Sequence, residues 1–333
     1  MPPARALAFG LALVMPASMA QAAPGFHVIE RIAGPDGGWD FVRVDTANNR
    51  VLVVRTTSVM AIDLATKAVT TGLAPGLLLH DALPLNDEHE ILVTHGGEAI
   101  AVFADAKTGD ALATVKTGVG PDAAVVDASS GLLLVMDHVG GDVVLINAKT
   151  HAEAGRIVVG GELELAAVDG HGRAYVNIED QNAIAVLDLK ARKVVARYPL
   201  PGCDGPTGLA YDAAEHQLLA ACDGASVLVS ARSGKVLATL KTGPGADGAA
   251  FDPVARLAFV PSGGAGTLSV IAICKGSATL VETVPTQTGA RTLALDPRSG
   301  RIYLPTARYG PAPAAGKRRP MLPGTFEVLV VGR

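Results

Sequence analysis

The chain has 333 residues with a net charge of −4 and an isoelectric point near 6.1, which argues against nucleic acid or an anionic membrane surface as partner. Aromatic residues make up only 4%, too few for a base-stacking platform. Apolar content is 49%, with 38 glycines and 21 prolines, a composition suited to many short strands joined by tight turns.

The first residues, MPPARALAFGLALVMPASMAQAAPG, place one arginine before an apolar run from Ala6 to Val14, followed by small residues at Ala20 and Ala22. That order matches a secretory signal peptide over residues 1–22. The run falls short of the roughly 20 apolar residues a spanning helix needs, and no second run of that length occurs. The expectation is a periplasmic or secreted protein with no membrane span.

From residue 27 onward the sequence repeats itself. GPDAAVVDASSGLLLV at 120–135 returns as GADGAAFDPVARLAFV at 245–260. The residue ending each first apolar stretch falls at Asp45, Asn86, Asp127, Asp169, Asp212, Asp252 and Asp296, with steps of 41, 41, 42, 43, 40 and 44. A second landmark at Asp63, Asp105, Asn147, Asp188 and Ser230 steps by 42, 42, 41 and 42. Each unit reads as four short strands rich in Val, Ile and Leu, and no segment keeps a helical period over three turns.

A four-strand unit of about 40–45 residues is the signature of a propeller blade. Seven landmarks predict an all-β, seven-bladed β-propeller over residues 27–333. The last unit offers only three strands, ending in FEVLVV. The strand HVIERI (His27–Ile32) is therefore expected to complete blade seven and close the ring.

The strand AYVN (Ala174–Asn177), the G-x-x-P-x-x-x-A-x-D-like openings and the closing VLDLKARKV resemble YVTN-repeat β-propellers of the YncE-like kind. The resemblance covers essentially the whole chain after the leader. It implies a propeller fold but no single chemistry, because these repeats are structural.

Several motifs lose their functional meaning in this context. Gly243-Pro-Gly245-Ala-Asp-Gly248 spells a dinucleotide fingerprint, but a strand follows where a helix is required. Trp39-Asp40 opens a strand and does not close one. His89 and His95 in HEILVTH lie about 20 Å apart on a strand and cannot chelate one metal together.

The acidic position five residues before each landmark is more informative. It reads Asp40, Asp81, Asp122, Glu164, Thr207, Asp247 and Arg291. In a propeller the first strand lines the central channel, so these side chains are expected to ring one channel mouth. The loop after the second strand opens on the same face and adds Arg55, His95, Asp137, His138 and Asn177, with His80 beside Asp81. Converging carboxylates repel and raise one another's pKa values, which favours a cation, a protonated amine, or Ca²⁺ or another divalent ion. Asp81, Asp122 and His80 are the candidate metal ligands. The competing reading is that each carboxylate braces a turn.

Two function classes follow. One is an exported, monomeric binding or scaffold protein taking a small molecule or a protein at this top face. The other is a metal-assisted hydrolase, lactonase-like, with the metal held in the channel mouth. A quinone-dependent dehydrogenase is disfavoured because a single tryptophan cannot build the aromatic stack expected around that cofactor.

Two further features stand outside the repeat. Cys203 and Cys222 flank one hairpin and are expected to bridge, leaving Cys274 free. The proline-rich stretch at 306–325 carries the basic run Lys317-Arg318-Arg319. It reads either as an exposed loop or as a flap over the mouth.

Overall fold

A computed structural model describes residues 25–85, 89–313 and 319–333. Among these residues the chain forms seven four-stranded antiparallel sheets, six of which take four consecutive strands. Blade three is representative, with strands Pro121–Asp127, Leu132–Asp137, Asp142–Asn147 and Ala152–Val158. The seventh sheet pairs the first strand of the domain with its last three. The fold is therefore the seven-bladed β-propeller expected from the repeat.

The repeat landmarks have a local cause. Asp63 accepts the backbone N–H groups of Ala65 and Thr66. Asp105 does the same for Lys107 and Thr108, and Asn147 for Lys149 and Thr150. A short carboxylate or amide closing a hairpin onto its own backbone fixes the turn, so the residue type recurs at most blade periods.

Burial follows the radial order. The second strands are covered on both faces and read as near-continuous apolar runs, as in Leu132–Asp137. The outermost strands alternate, as in Lys193–Pro199, where mainly one face is covered. The core is divided into seven apolar clusters, each lying between two neighbouring blades. Leu134, Met136 and Val143 of blade three, for example, meet Val176, Ile178 and Ala185 of blade four.

Ring closure runs through the strand His27–Ala33, which pairs from His27 opposite Gly332 to Ala33 opposite Glu327. Its Ile32 joins Val328 and Val330 of blade seven and Trp39 and Val51 of blade one in a single cluster. The Gly243–Gly248 run is an inter-blade turn, as the missing helix implied. A Cβ on Gly208 would lie 2.3 Å from the carbonyl carbon of Gly248, so two adjacent blades approach there backbone to backbone.

Cys203 and Cys222 are bridged, with Cα atoms 5.3 Å apart, and Cys274 is free and exposed. The proline-rich stretch leaves the mouth face of blade seven. At its base Tyr309 bridges Met321 and Gly310 N–H donates to the Pro320 carbonyl at 2.9 Å. Residues 314–318, including Lys317 and Arg318 of the basic run, lie outside the described residues, as do the leader expected at 1–22 and the landmark assigned to Asn86. No helix among the described residues is long and apolar enough to cross a membrane.

Two outcomes follow. Removing His27–Ala33 strips one edge of blade seven and uncovers its cluster, and is expected to lower the melting temperature by roughly 10 °C, read by differential scanning calorimetry. An unchanged melt would contradict closure by this strand. Thiol counting in denaturant without reductant should return one free thiol, and replacing Cys203 and Cys222 with serine should cost about 3 kcal/mol.

Candidate functional site

In blades one to four the innermost strand carries a β-bulge at its start. The register shifts between Trp39 and Val42, Leu79 and Ala82, Pro121 and Ala124, and Leu163 and Ala166. A bulge leaves extra residues unpaired and re-aims their side chains. The first residue in each bulge is Asp40, His80, Asp122 and Glu164. All four line one cavity of about 330 Å³, together with Asp247, Arg291 and His138.

This geometry corrects the alignment in blade two. Trp39, Leu79, Pro121 and Leu163 are equivalent, since each pairs with the final residue of the next strand. The mouth position of blade two is therefore His80, and the landmark five residues later is Leu85. Leu85 N–H donates to the Glu90 carbonyl, continuing the ladder one residue short of Asn86. The landmark in blade two lies one residue earlier than the sequence suggests, because an apolar residue stands where six other blades carry aspartate.

Asp81 consequently turns away from the mouth. It is fully buried and accepts from Arg43 Nε at 2.9 Å, Ala82 N at 2.8 Å and Ala124 N at 2.9 Å. These bonds saturate the carboxylate and tie blades one, two and three together, so it is a structural ion pair. It offers no ligand atom to the cavity.

His95 and Asp137 also miss the mouth, because each ends a second strand and faces between blades. His95 is buried and its Nδ1 lies 2.9 Å from Glu98. Asp137 is fully buried and accepts the Gly118 N–H at 2.7 Å. Burial pushes its carboxyl up to about 7, with the neighbouring Asp142 adding to the shift against the Gly118 bond. Arg55 donates to the carbonyls of Pro35, Gly37 and Gly38, and Asn177 to those of Thr207 and Gly208. Thr207, the blade-five equivalent, donates to Ala246 O at 2.9 Å.

Within the mouth, carboxylates and imidazoles alternate. His80 Nδ1 lies 2.7 Å from Asp40 Oδ2 and 3.2 Å from Asp122 Oδ1. His138 Nδ1 lies 3.0 Å from Glu164 Oε1. On the far side Arg291 Nε donates to Asp247 Oδ2 at 2.7 Å, and its Nη2 is 3.7 Å from Asp40. The mouth thus has a histidine–carboxylate half from blades one to four and an arginine-neutralised half from blades six and seven.

The electrostatics follow from burial and crowding. Asp122 is raised well above the usual carboxylate range, first by burial and then by Glu164, Asp40, Asp247 and Asp81. Burial likewise pushes Asp247 up to about 7, with Arg291 opposing and Asp40 and Glu164 adding to it. The hydrogen bond to Glu164 raises His138 to about 9 against the cost of its burial. Glu179 is raised by burial and by Glu164. Glu162 and Glu179, with His138, form a further group at the rim that no repeat position marked in the sequence.

The other end of the channel holds a larger cavity of about 520 Å³, where Leu83, Leu85, Phe251 and Leu295 stand beside Arg43 and Asp45. The chemistry is concentrated at the bulged end.

The fold and this mouth define a seven-bladed β-propeller with an acidic, histidine-bearing channel entrance. No family model and no curated protein matches the chain. Among solved structures, a chain of the mitotic checkpoint complex is similar with a TM-score of 0.74 at 14% identity, over 90% of this chain and 95% of that one. A chain of hydrazine synthase from Kuenenia stuttgartiensis is similar with a TM-score of 0.71 at 14% identity, over 82% and 94%. Identity this low carries the propeller architecture alone.

The corrected register separates two neighbouring aspartates by one melting experiment. Asp81→Asn breaks a buried ion pair and should cost about 3 kcal/mol. Asp122→Asn removes a crowded carboxylate and should leave stability unchanged or higher at neutral pH.

His138 gives a pH signature. Its folded pKa of about 9 lies above the ordinary 6.5, so the stability it contributes is complete below the lower value and lost as pH rises through the upper one. NMR titration of the imidazole should show that midpoint, and Glu164→Gln should return it toward 6.5.

Proposed function

We propose that the protein is an exported binding protein of the YncE-like, YVTN-repeat kind, whose propeller mouth takes a cation. The observation that carries this reading is the convergence of Asp40, Asp122, Glu164 and Asp247 on one cavity. One arginine answers Asp247 and Asp40, while Asp122 is held above the usual carboxylate range. A metal ion or an organic ammonium would relieve that crowding. Export is supported by the leader-like first 22 residues and by the Cys203–Cys222 bridge, since such bridges persist in oxidising compartments.

A metal-assisted hydrolase is the second reading. It is favoured by the imidazoles of His80 and His138 standing beside candidate metal ligands, where one could act as base toward a metal-bound water.

Titration calorimetry with Ca²⁺, Mn²⁺, Zn²⁺ and n-propylammonium tests the binding reading. At least one of these should bind the native protein. The variant combining Asp122→Asn with Glu164→Gln should lose at least tenfold in affinity while keeping a cooperative melt, lowered by no more than the loss of the His138–Glu164 pair. Binding that survives this double substitution would remove the mouth as the site. Turnover of a lactone by the metal-loaded protein, lost in the same variant, would move the hydrolase ahead.

A further inference from the structure

We infer that the mouth is a two-metal site in which Asp122 bridges two divalent ions, one also held by Asp40 and His80 and the other by His138 and Glu164. The inference rests on the cation reading above and makes it specific in number, ligands and metal class.

The geometry has three parts. Asp40, His80 and Asp122 each offer a ligand atom within 4.8 Å of the others, and so do Asp122, His138 and Glu164. The two groups share Asp122 alone, and each brings its own histidine. Asp122 also stands between its partners in the ring, with His80 and Asp40 on blades two and one, and Glu164 on blade four. A carboxylate has two oxygens and can hand one to each ion, which sets paired metals roughly 4 Å apart.

The bulges explain how this arrangement arises from a repeat. They deliver one side chain per blade at equivalent places in four consecutive blades, so neighbouring ligands are evenly spaced around the entrance. His138 is added from the hairpin after Leu132–Asp137, one residue beyond the strand end, which fills the step between blades three and four. The repeat alone would have produced a ring of carboxylates. The substitution of histidine at the blade-two position, together with His138, changes its chemistry.

The donor set points to the class of metal. Each group has one imidazole nitrogen and two carboxylates. Imidazole suits Zn²⁺, Fe²⁺ and Ni²⁺, while carboxylate also suits Mn²⁺. Ca²⁺ takes six to eight oxygen ligands, so a nitrogen in each group moves the preference from calcium toward first-row ions. Three protein ligands per ion leave positions open to water or a bound molecule, as in catalytic and not in closed structural sites. The rim group of Glu162, Glu179 and His138 shares the same imidazole.

Mn²⁺ loading followed by equilibrium dialysis and elemental analysis tests the inference on the full-length protein. The native chain should retain two Mn²⁺, and its electron paramagnetic resonance spectrum should show exchange coupling between them. Asp122→Asn should retain none, His80→Asn and His138→Asn one each without coupling, and Glu162→Gln still two. The coupled spectrum of the native protein needs no variant, so misfolding of a substitution leaves the inference exposed to failure. One Mn²⁺ per chain, or two without coupling, would overturn the bridged pair while leaving the cation reading intact. Ca²⁺ held in place of Mn²⁺ and Zn²⁺ would overturn the metal class. If no metal binds and n-propylammonium does, the pair falls and the mouth remains a cation site. If nothing binds, both readings fall.

Discussion

Everything in this molecule depends on the fact that a small twisted sheet of apolar strands has two faces to cover. Each blade solves this by lending a face to each neighbour, and the core is accordingly split into seven inter-blade clusters. No blade has a private core, so no blade is complete until the ring is. The burial of the second strands and the amphipathic outer strands follow from that single requirement.

The same requirement fixes where chemistry can occur. Inter-blade surfaces are apolar and close-packed, and the turns at one end are tied by aspartate and asparagine side chains to their own backbone. The channel entrance is where polar side chains from many blades meet and answer one another by hydrogen bonds and ion pairs. Bulges at the starts of four innermost strands turn Asp40, His80, Asp122 and Glu164 into that space. A rigid ring thereby holds groups that would otherwise repel apart, and the cost appears as carboxyls displaced upward from their ordinary range.

Much of this was legible in the sequence. The blade period, the closing strand and the disulfide pair can all be read from spacing, because turn-capping residues recur wherever a hairpin must close. The entrance was legible only in part. Blade two has Leu85 where its siblings carry a carboxylate, so the alignment slid to Asn86 and exchanged His80 for Asp81. A one-residue slip in a strand reverses which face a side chain occupies, and it changed a mouth ligand into a buried ion pair. His95 and Asp137 end strands on the entrance side, which from sequence alone points them at the mouth. Whether such a residue faces the channel or a neighbouring blade depends on twist and bulge, which no local pattern records. Glu162 and Glu179 belong to loop geometry particular to blade four, and repetition could not reveal them.

The closing strand also orders events in time. His27 and Gly332 are paired, so the earliest-made part of the propeller finds its partner only when the latest-made part exists. The entropy of closing so long a loop grows only with the logarithm of its length, which makes the finished ring thermodynamically cheap to seal but late to form. Until then the strand His27–Ala33 has no partner and the cluster it completes stays uncovered. A propeller lacking that pairing would present two open sheet edges in place of one seam, and open edges invite pairing with other chains.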